Sequence, residues 1–153
     1  MADYFNKDFR DFISALNNQK VDYILAGGMA VILHGYVRAT GDMDIWVNKR
    51  VENYQKLVAA FKEFRMPVFD MTESNFMSDQ YDVWTFGVSP VKIEIMTAVK
   101  GLKFEEAYAS SQIYTEDNVS IRFLGINSLI QAKKAAGRFK YLDDIDQLTG
   151  GSK

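Results

Sequence analysis

Apolar side chains recur at Phe5, Phe9, Phe12, Ile13 and Leu16, the spacing of one helix face, so the chain opens with an amphipathic helix that Asn17-Asn18 closes. Residues 23–26 form a short unbroken apolar run that enters Gly27-Gly28, the pattern of a buried strand followed by a tight turn. Residues 29–33 then predict a short helix stopped by Gly35, and Thr40-Gly41 a turn. From Asp42 to Val47 polar and apolar positions alternate, which is strand periodicity. Val51, Tyr54, Leu57, Val58, Phe61 and Phe64 return to helical spacing over residues 51–64.

Residues 72–79 fit either a short helix or a loop. Residues 82–88 and 91–96 flank Ser89-Pro90 and predict a hairpin. A short helix over 104–109 and a late strand over 121–124 follow. Asn127 or Ser128 caps a helix running through Leu129, Ile130 and Ala132, which Gly137 and Arg138 interrupt, and a last helix covers about 141–148. The order is α-β-α-β, then a hairpin, then helices, without an internal repeat. It predicts an α/β (α+β) fold, a mixed sheet flanked by helices in a single domain over residues 1–149, with 150–153 as a flexible tail.

Composition narrows the chemistry more than the fold. The 153 residues are 48% hydrophobic and 25% charged, enough for one folded core. The net charge of -2 argues against a strongly basic nucleic-acid binder. Cysteine is absent, which removes disulfides, thiolate-bound zinc and a cysteine nucleophile. A single histidine, His34, cannot build a multi-histidine site, and its place beside Gly35 suits capping or packing. A divalent metal would therefore sit on oxygen, as Mg²⁺, Mn²⁺ or Ca²⁺ do. The polar N-terminus is unlike a signal peptide and no apolar run is long enough to span a bilayer, so the expectation is a cytoplasmic protein that does not engage membrane.

Two aspartates stand out. Asp42 and Asp44 are two apart on a predicted strand and so share a face, while Met43, Ile45 and Val47 face the core. Aspartate is a poor strand former. Two on one face fit either a half-exposed strand or a shared divalent cation that relieves their repulsion. Glu94 alternates with Ile93 and Ile95 on a later strand and would make a third carboxylate. Gly27-Gly28 between strand and helix lets backbone approach a ligand closely, and amides at a helix start favour phosphate. An ordinary tight turn explains the same glycines.

Taken as a unit, Leu25-Ala26-Gly27-Gly28-Met29-Ala30, His34-Gly35 and Arg38-Ala39-Thr40-Gly41-Asp42-Met43-Asp44-Ile45-Trp46-Val47 resembles the nucleotidyltransferase superfamily that includes polymerase beta. Its signature is a glycine pair after a strand, a short helix, an Asp-x-Asp strand, and a third acid from a later strand, here matched by Glu94. Leu129-Ile130-Gln131-Ala132-Lys133 with Gly137-Arg138 and Asp144-Ile145 is similar to the C-terminal segment of small abortive-infection-type toxin-like nucleotidyltransferases. The resemblance covers residues 21 to 148. The chain departs from the family in carrying Glu94 where Asp is commoner, Gly28 where Ser is frequent, and Tyr141 where the toxin-like relatives commonly carry an acid.

The resemblance implies transfer of a nucleoside monophosphate from a nucleoside triphosphate to a hydroxyl acceptor, with Mg²⁺ (or Mn²⁺) held by Asp42, Asp44 and Glu94. It implies phosphate contacts from Gly27 and Gly28, with Arg38, Thr40, Lys133 and Arg138 as further candidates, and a general-base role for Glu94. Trp46, on the face of Asp44, suits either base stacking or core packing. The acceptor could be a small molecule, a tRNA end or a protein. Two other readings stay open: a catalytically inactive nucleotide- or partner-binding module of toxin–antitoxin type, and a structural domain that binds neither nucleotide nor metal.

Overall fold

The computed structural model describes residues 5–36, 41–88 and 90–137. Six helices and six strands lie along these residues. They are α1 (Lys7–Asn18), β1 (Tyr23–Ala26), α2 (Gly27–Leu33), β2 (Asp42–Val47), α3 (Val51–Glu63) and α4 (Glu73–Met77). β3 (Val83–Phe86), β4 (Lys92–Met96), α5 (Phe104–Ala109), β5 (Gln112–Glu116), β6 (Val119–Phe123) and α6 (Ile126–Ala136) complete the order. The strands form one sheet in the order β3-β4-β2-β1-β6-β5. β1 runs antiparallel to β2 and parallel to β6, and β2 runs parallel to β4. The sheet is mixed and helix-flanked, as the sequence predicts.

The middle of the sheet is apolar for a stated reason. β1 is buried along its whole length, on both of its faces, and accordingly reads as a continuous apolar run. β2 alternates: Met43 and Ile45 are buried, and Asp42 and Asp44 are partly exposed. Phe9, Phe12, Ile13 and Leu16 of α1 enter the same core, each worth roughly 1.5–3 kcal/mol of burial. Phe12 packs edge-on against Phe61 and Phe64 of the α3 region. The buried Asn53 accepts from the Asp22 amide at 2.8 Å and donates to Asn48 O at 2.9 Å, tying the start of α3 to the ends of β1 and β2.

Several boundaries move from their sequence expectations. α2 begins at Gly27 rather than Met29, so the glycine pair is the first turn of the helix itself. Of residues 72–79, Glu73–Met77 form α4, whose start the Thr72 hydroxyl caps by accepting from the Asn75 amide. The cap of α6 is Gly125 rather than Asn127 or Ser128, and the helix ends where Gly137 adopts φ 67°. β5 has no counterpart in the sequence reading. It pairs antiparallel with β6 through a turn in which Asp117 and Asn118 both have positive φ. Arg138, the helix expected over 141–148, Asp144 and the tail lie outside the described residues, as do Arg38, Thr40 and Ser89.

Candidate active site

β2 and β4 lie side by side in parallel register, with Asp42 opposite Lys92 and Asp44 opposite Glu94. On the other side Asp44 pairs with Ala26, the last residue of β1, and beyond Glu94 stands Thr85 of β3. Thr85, Glu94, Asp44 and Ala26 thus form one row across four strands. Ile93 and Ile95 are buried on the opposite face, which turns Glu94 toward the aspartates. The row places Asp44 next to Gly27, the residue after Ala26.

Gly27 has φ +64°, and a Cβ there would overlap Oδ2 of Asp44 and stand 2.9 Å from its Cγ. The absence of a side chain at position 27 is therefore what admits the Asp44 carboxylate beside the start of α2. Asp44 Oδ1 is buried without a hydrogen-bond partner among the described residues. A lone buried carboxylate oxygen is costly unless something cationic or protic meets it. Accordingly the Asp44 carboxyl is pushed up from 3.8 to about 7, first by burial, then by the charge and hydrogen bond of Glu94 and the charge of Asp42. Lys133 pulls in the opposite direction.

Lys133 reaches the site from α6, where its side chain is buried. It shares with Gly27 and Asp44 a cleft of about 160 Å³ whose apolar wall includes Met96, Leu124 and Leu129. A wider hollow of about 440 Å³ between α1 and α3 carries Asp8, Asp11 and Glu63 but none of these residues. The small cleft is the chemically equipped one, since it joins a helix start, a strained-open glycine, an acid of raised pKa and a lysine.

The three carboxylates are not equally engaged. Asp44 and Glu94 interact, whereas Asp42 pairs with Lys92, Nζ to Oδ2 at 3.6 Å. No three His, Cys, Asp or Glu side chains among the described residues stand together at metal-holding geometry. The donor chemistry nevertheless suits Mg²⁺ or Mn²⁺: three carboxylates on one face of adjacent parallel strands, with an unpartnered buried oxygen on the middle one. Lys92 was not singled out by sequence reasoning. Its signal was present, because Lys92 and Glu94 alternate with Ile93 and must share a face.

Two expected candidates have structural roles. Trp46 is 2% exposed and packs edge-on against Phe104 at 5.2 Å, so of the two readings left open the core one holds and base stacking does not. β2 passes under α5 at that end, which covers the face that stays open at Asp42. His34 caps α2, with Nε2 2.7 Å from Leu124 O and its ring against Phe123 at 5.1 Å. It packs, as its place beside Gly35 suggests.

No family model matches the chain, and no curated protein sequence matches it. Solved structures do. A Thermotoga maritima protein assigned to the nucleotidyltransferases superposes with a TM-score of 0.59 at 16% identity, over 92% of this chain and 89% of that one. ANT(2″)-Ia, crystallised with adenylyl-2″-tobramycin, gives 0.57 at 14% identity over 92% and 84%. A nucleotidyltransferase-like antigenic protein from Paracoccidioides brasiliensis gives 0.53 at 13% over 92% and 74%. At these identities the likeness speaks for architecture, and the architecture is that of the nucleotidyltransferases: this chain has a nucleotidyltransferase-like fold, with Asp42, Asp44 and Glu94 on one face of its central strands.

Proposed function

We propose that the chain is a metal-dependent nucleotidyltransferase that moves a nucleoside monophosphate from a nucleoside triphosphate to a hydroxyl acceptor. The observation that carries this reading is the placement of Asp44 between Gly27 and Glu94. A carboxylate with one buried, unpartnered oxygen stands against a bare helix start in a fold shared with nucleotidyltransferases. Mg²⁺ or Mn²⁺ would be held by Asp42, Asp44 and Glu94; when bound, it supplies charge neutralisation for the triphosphate and acidifies the acceptor hydroxyl.

The chain's own groups have distinct tasks. Gly27 admits the Asp44 carboxylate, and Gly27 and Gly28 offer backbone amides to phosphate oxygens beside it. Lys133 sets a positive charge in the same cleft for the triphosphate. Arg38 and Thr40, candidates through the family resemblance, complete the proposed nucleotide contacts. Glu94 takes the proton of the acceptor hydroxyl on a carboxylate oxygen. The acceptor oxygen forms its bond to the α-phosphorus, the bond from that phosphorus to the bridging oxygen breaks, and pyrophosphate leaves. The reaction gains chiefly from positioning and charge, in keeping with a site built of carboxylates and lysines.

The acceptor class is open to a direct test, and ANT(2″)-Ia with its adenylylated tobramycin makes a small-molecule hydroxyl one candidate beside tRNA and protein. Incubating the full chain with α-labelled nucleoside triphosphates, Mg²⁺ and a cell extract should label one class of acceptor. Asp42→Asn should abolish the label. A second reading, an inactive binding module of toxin–antitoxin type working in the cytoplasm with a partner protein, is favoured by one observation: Asp42 already has Lys92 as an ion-pair partner. Thermal stabilisation by nucleotide and Mg²⁺ without any labelled acceptor would support the module and overturn the enzyme.

A further inference from the structure

We propose that Lys92 is a tethered counter-ion of Asp42 that a divalent cation must displace, so that this lysine sets the metal affinity of the site; the inference rests on the metal-holding role proposed for Asp42, Asp44 and Glu94. Parallel pairing of β2 with β4 puts Lys92 directly opposite Asp42, two residues along each strand from the Asp44–Glu94 pair and therefore on the same face. The Nζ–Oδ2 separation is 3.6 Å, with side-chain exposures of 37% and 38%. Both groups therefore keep access to water and can separate without unpacking the sheet.

The charges on this face of β2 and β4 explain the arrangement. Three carboxylates carry three potential negative charges on neighbouring strand positions. Lys133 attends the buried end, at Asp44, and Lys92 attends the open end, at Asp42. An exposed ion pair elsewhere on a surface contributes little. Here the same pair occupies an oxygen that the cation needs, and its ammonium repels any incoming positive charge. Once displaced, the flexible lysine stem leaves the ammonium beside the site, where phosphate oxygens can take it up.

The test is Mn²⁺ binding without nucleotide, read by the free-ion electron paramagnetic resonance signal on the full chain. Wild type is compared with Lys92→Gln, Lys92→Met and Lys92→Arg, and circular dichroism confirms folding of each. The two neutral variants should bind Mn²⁺ roughly three- to twentyfold more tightly, from loss of the competing pair and of the repulsion, while the arginine variant stays near wild type. Using two neutral variants keeps the test valid if one fails to fold. Equal or weaker binding by the neutral variants, with wild type still binding, overturns the role of Lys92 and leaves the metal reading standing. Binding by the neutral variants where wild type binds nothing supports the proposal most directly. No Mn²⁺ binding by any variant overturns both.

Discussion

Gly27 and Asp44 occupy mutually exclusive space: the carboxylate of Asp44 stands where a side chain at position 27 would begin. Two residues distant in sequence are thereby locked to one another by β1–β2 pairing, in which Ala26 opposes Asp44. The glycine is required twice, for its φ of +64° and for the space it leaves. Gly27→Ala should destabilise the protein by about 1–3 kcal/mol, combining left-handed strain with displacement of Asp44. In a double-mutant cycle with Asp44→Ala, part of that loss should be recovered, because the overlap with the carboxylate goes while the strain and a tight 3.1 Å contact with the Cβ of residue 44 remain. Urea denaturation of the four proteins measures the coupling, and strict additivity would contradict the relationship.

The raised proton affinity of Asp44 predicts how stability depends on pH in metal-free buffer. A carboxyl whose folded value is about 7 against an ordinary 3.8 binds more protons in the folded state between those values. Stability from this group is thus fully present below about pH 4 and is lost as pH rises toward 7. Asp44→Asn should remove that decline and, at pH 8, stabilise the metal-free protein by on the order of 1–3 kcal/mol, the lost attraction to Lys133 opposing the gain. Denaturation profiles at several pH values check it; parallel profiles for the two proteins would refute it.

Glu116 predicts a structural loss far from any chemistry. Its buried carboxylate accepts from the Phe5 amide at 3.2 Å, the Arg10 guanidinium at 3.1 Å and the Tyr114 hydroxyl at 3.0 Å. It fastens the start of α1 to the edge strand β5. Glu116→Ala removes the acceptor these three donors share and should cost about 2–4 kcal/mol, with Glu116→Gln losing less. A thermal melt ranks the variants, and an alanine variant as stable as wild type would sink the assignment.

Trp46 offers a negative control for nucleotide binding. Its indole lies in the core and its Nε1 has no hydrogen-bond partner among the described residues. Trp46→Phe should change stability by about 1 kcal/mol or less, the smaller ring being offset by removal of an unsatisfied donor. Nucleotide affinity, measured by titration calorimetry, should stay within about twofold. A larger drop would return Trp46 to the nucleotide site.

What the sequence showed depended on how local the signal was. β1, β2 and α5 were legible to the residue, because an unbroken apolar run, a strict alternation and a short amphipathic turn need no distant partner. β5 was not legible, since Gln112, Ile113 and Thr115 are exposed on an edge strand and show no buried alternation. Its only clue was the Asp117-Asn118 turn. The carboxylates themselves were readable as residue types. The close approach of Asp44 to Gly27, and the pairing of Asp42 with Lys92, were not, because both arise from strand pairing. Trp46 shows the limit from the other side: alternation puts it on the face of Asp44, but only tertiary packing against Phe104 decides that the face is covered there.

The order of strands in the sheet has a consequence for how the molecule comes into being. β1 and β2 are joined by a short excursion and can associate early, whereas β4 must cross back over about fifty residues to lie beside β2, and β6 returns later still to flank β1. On loop-closure cost the Asp42–Asp44 strand should therefore pair with β1 before its third acid arrives. On a chain growing from the ribosome, the repulsion among the three acids enters only when β4 docks. The apolar partners Ile93 and Ile95, which arrive in the same step, provide the free energy that holds those charges together.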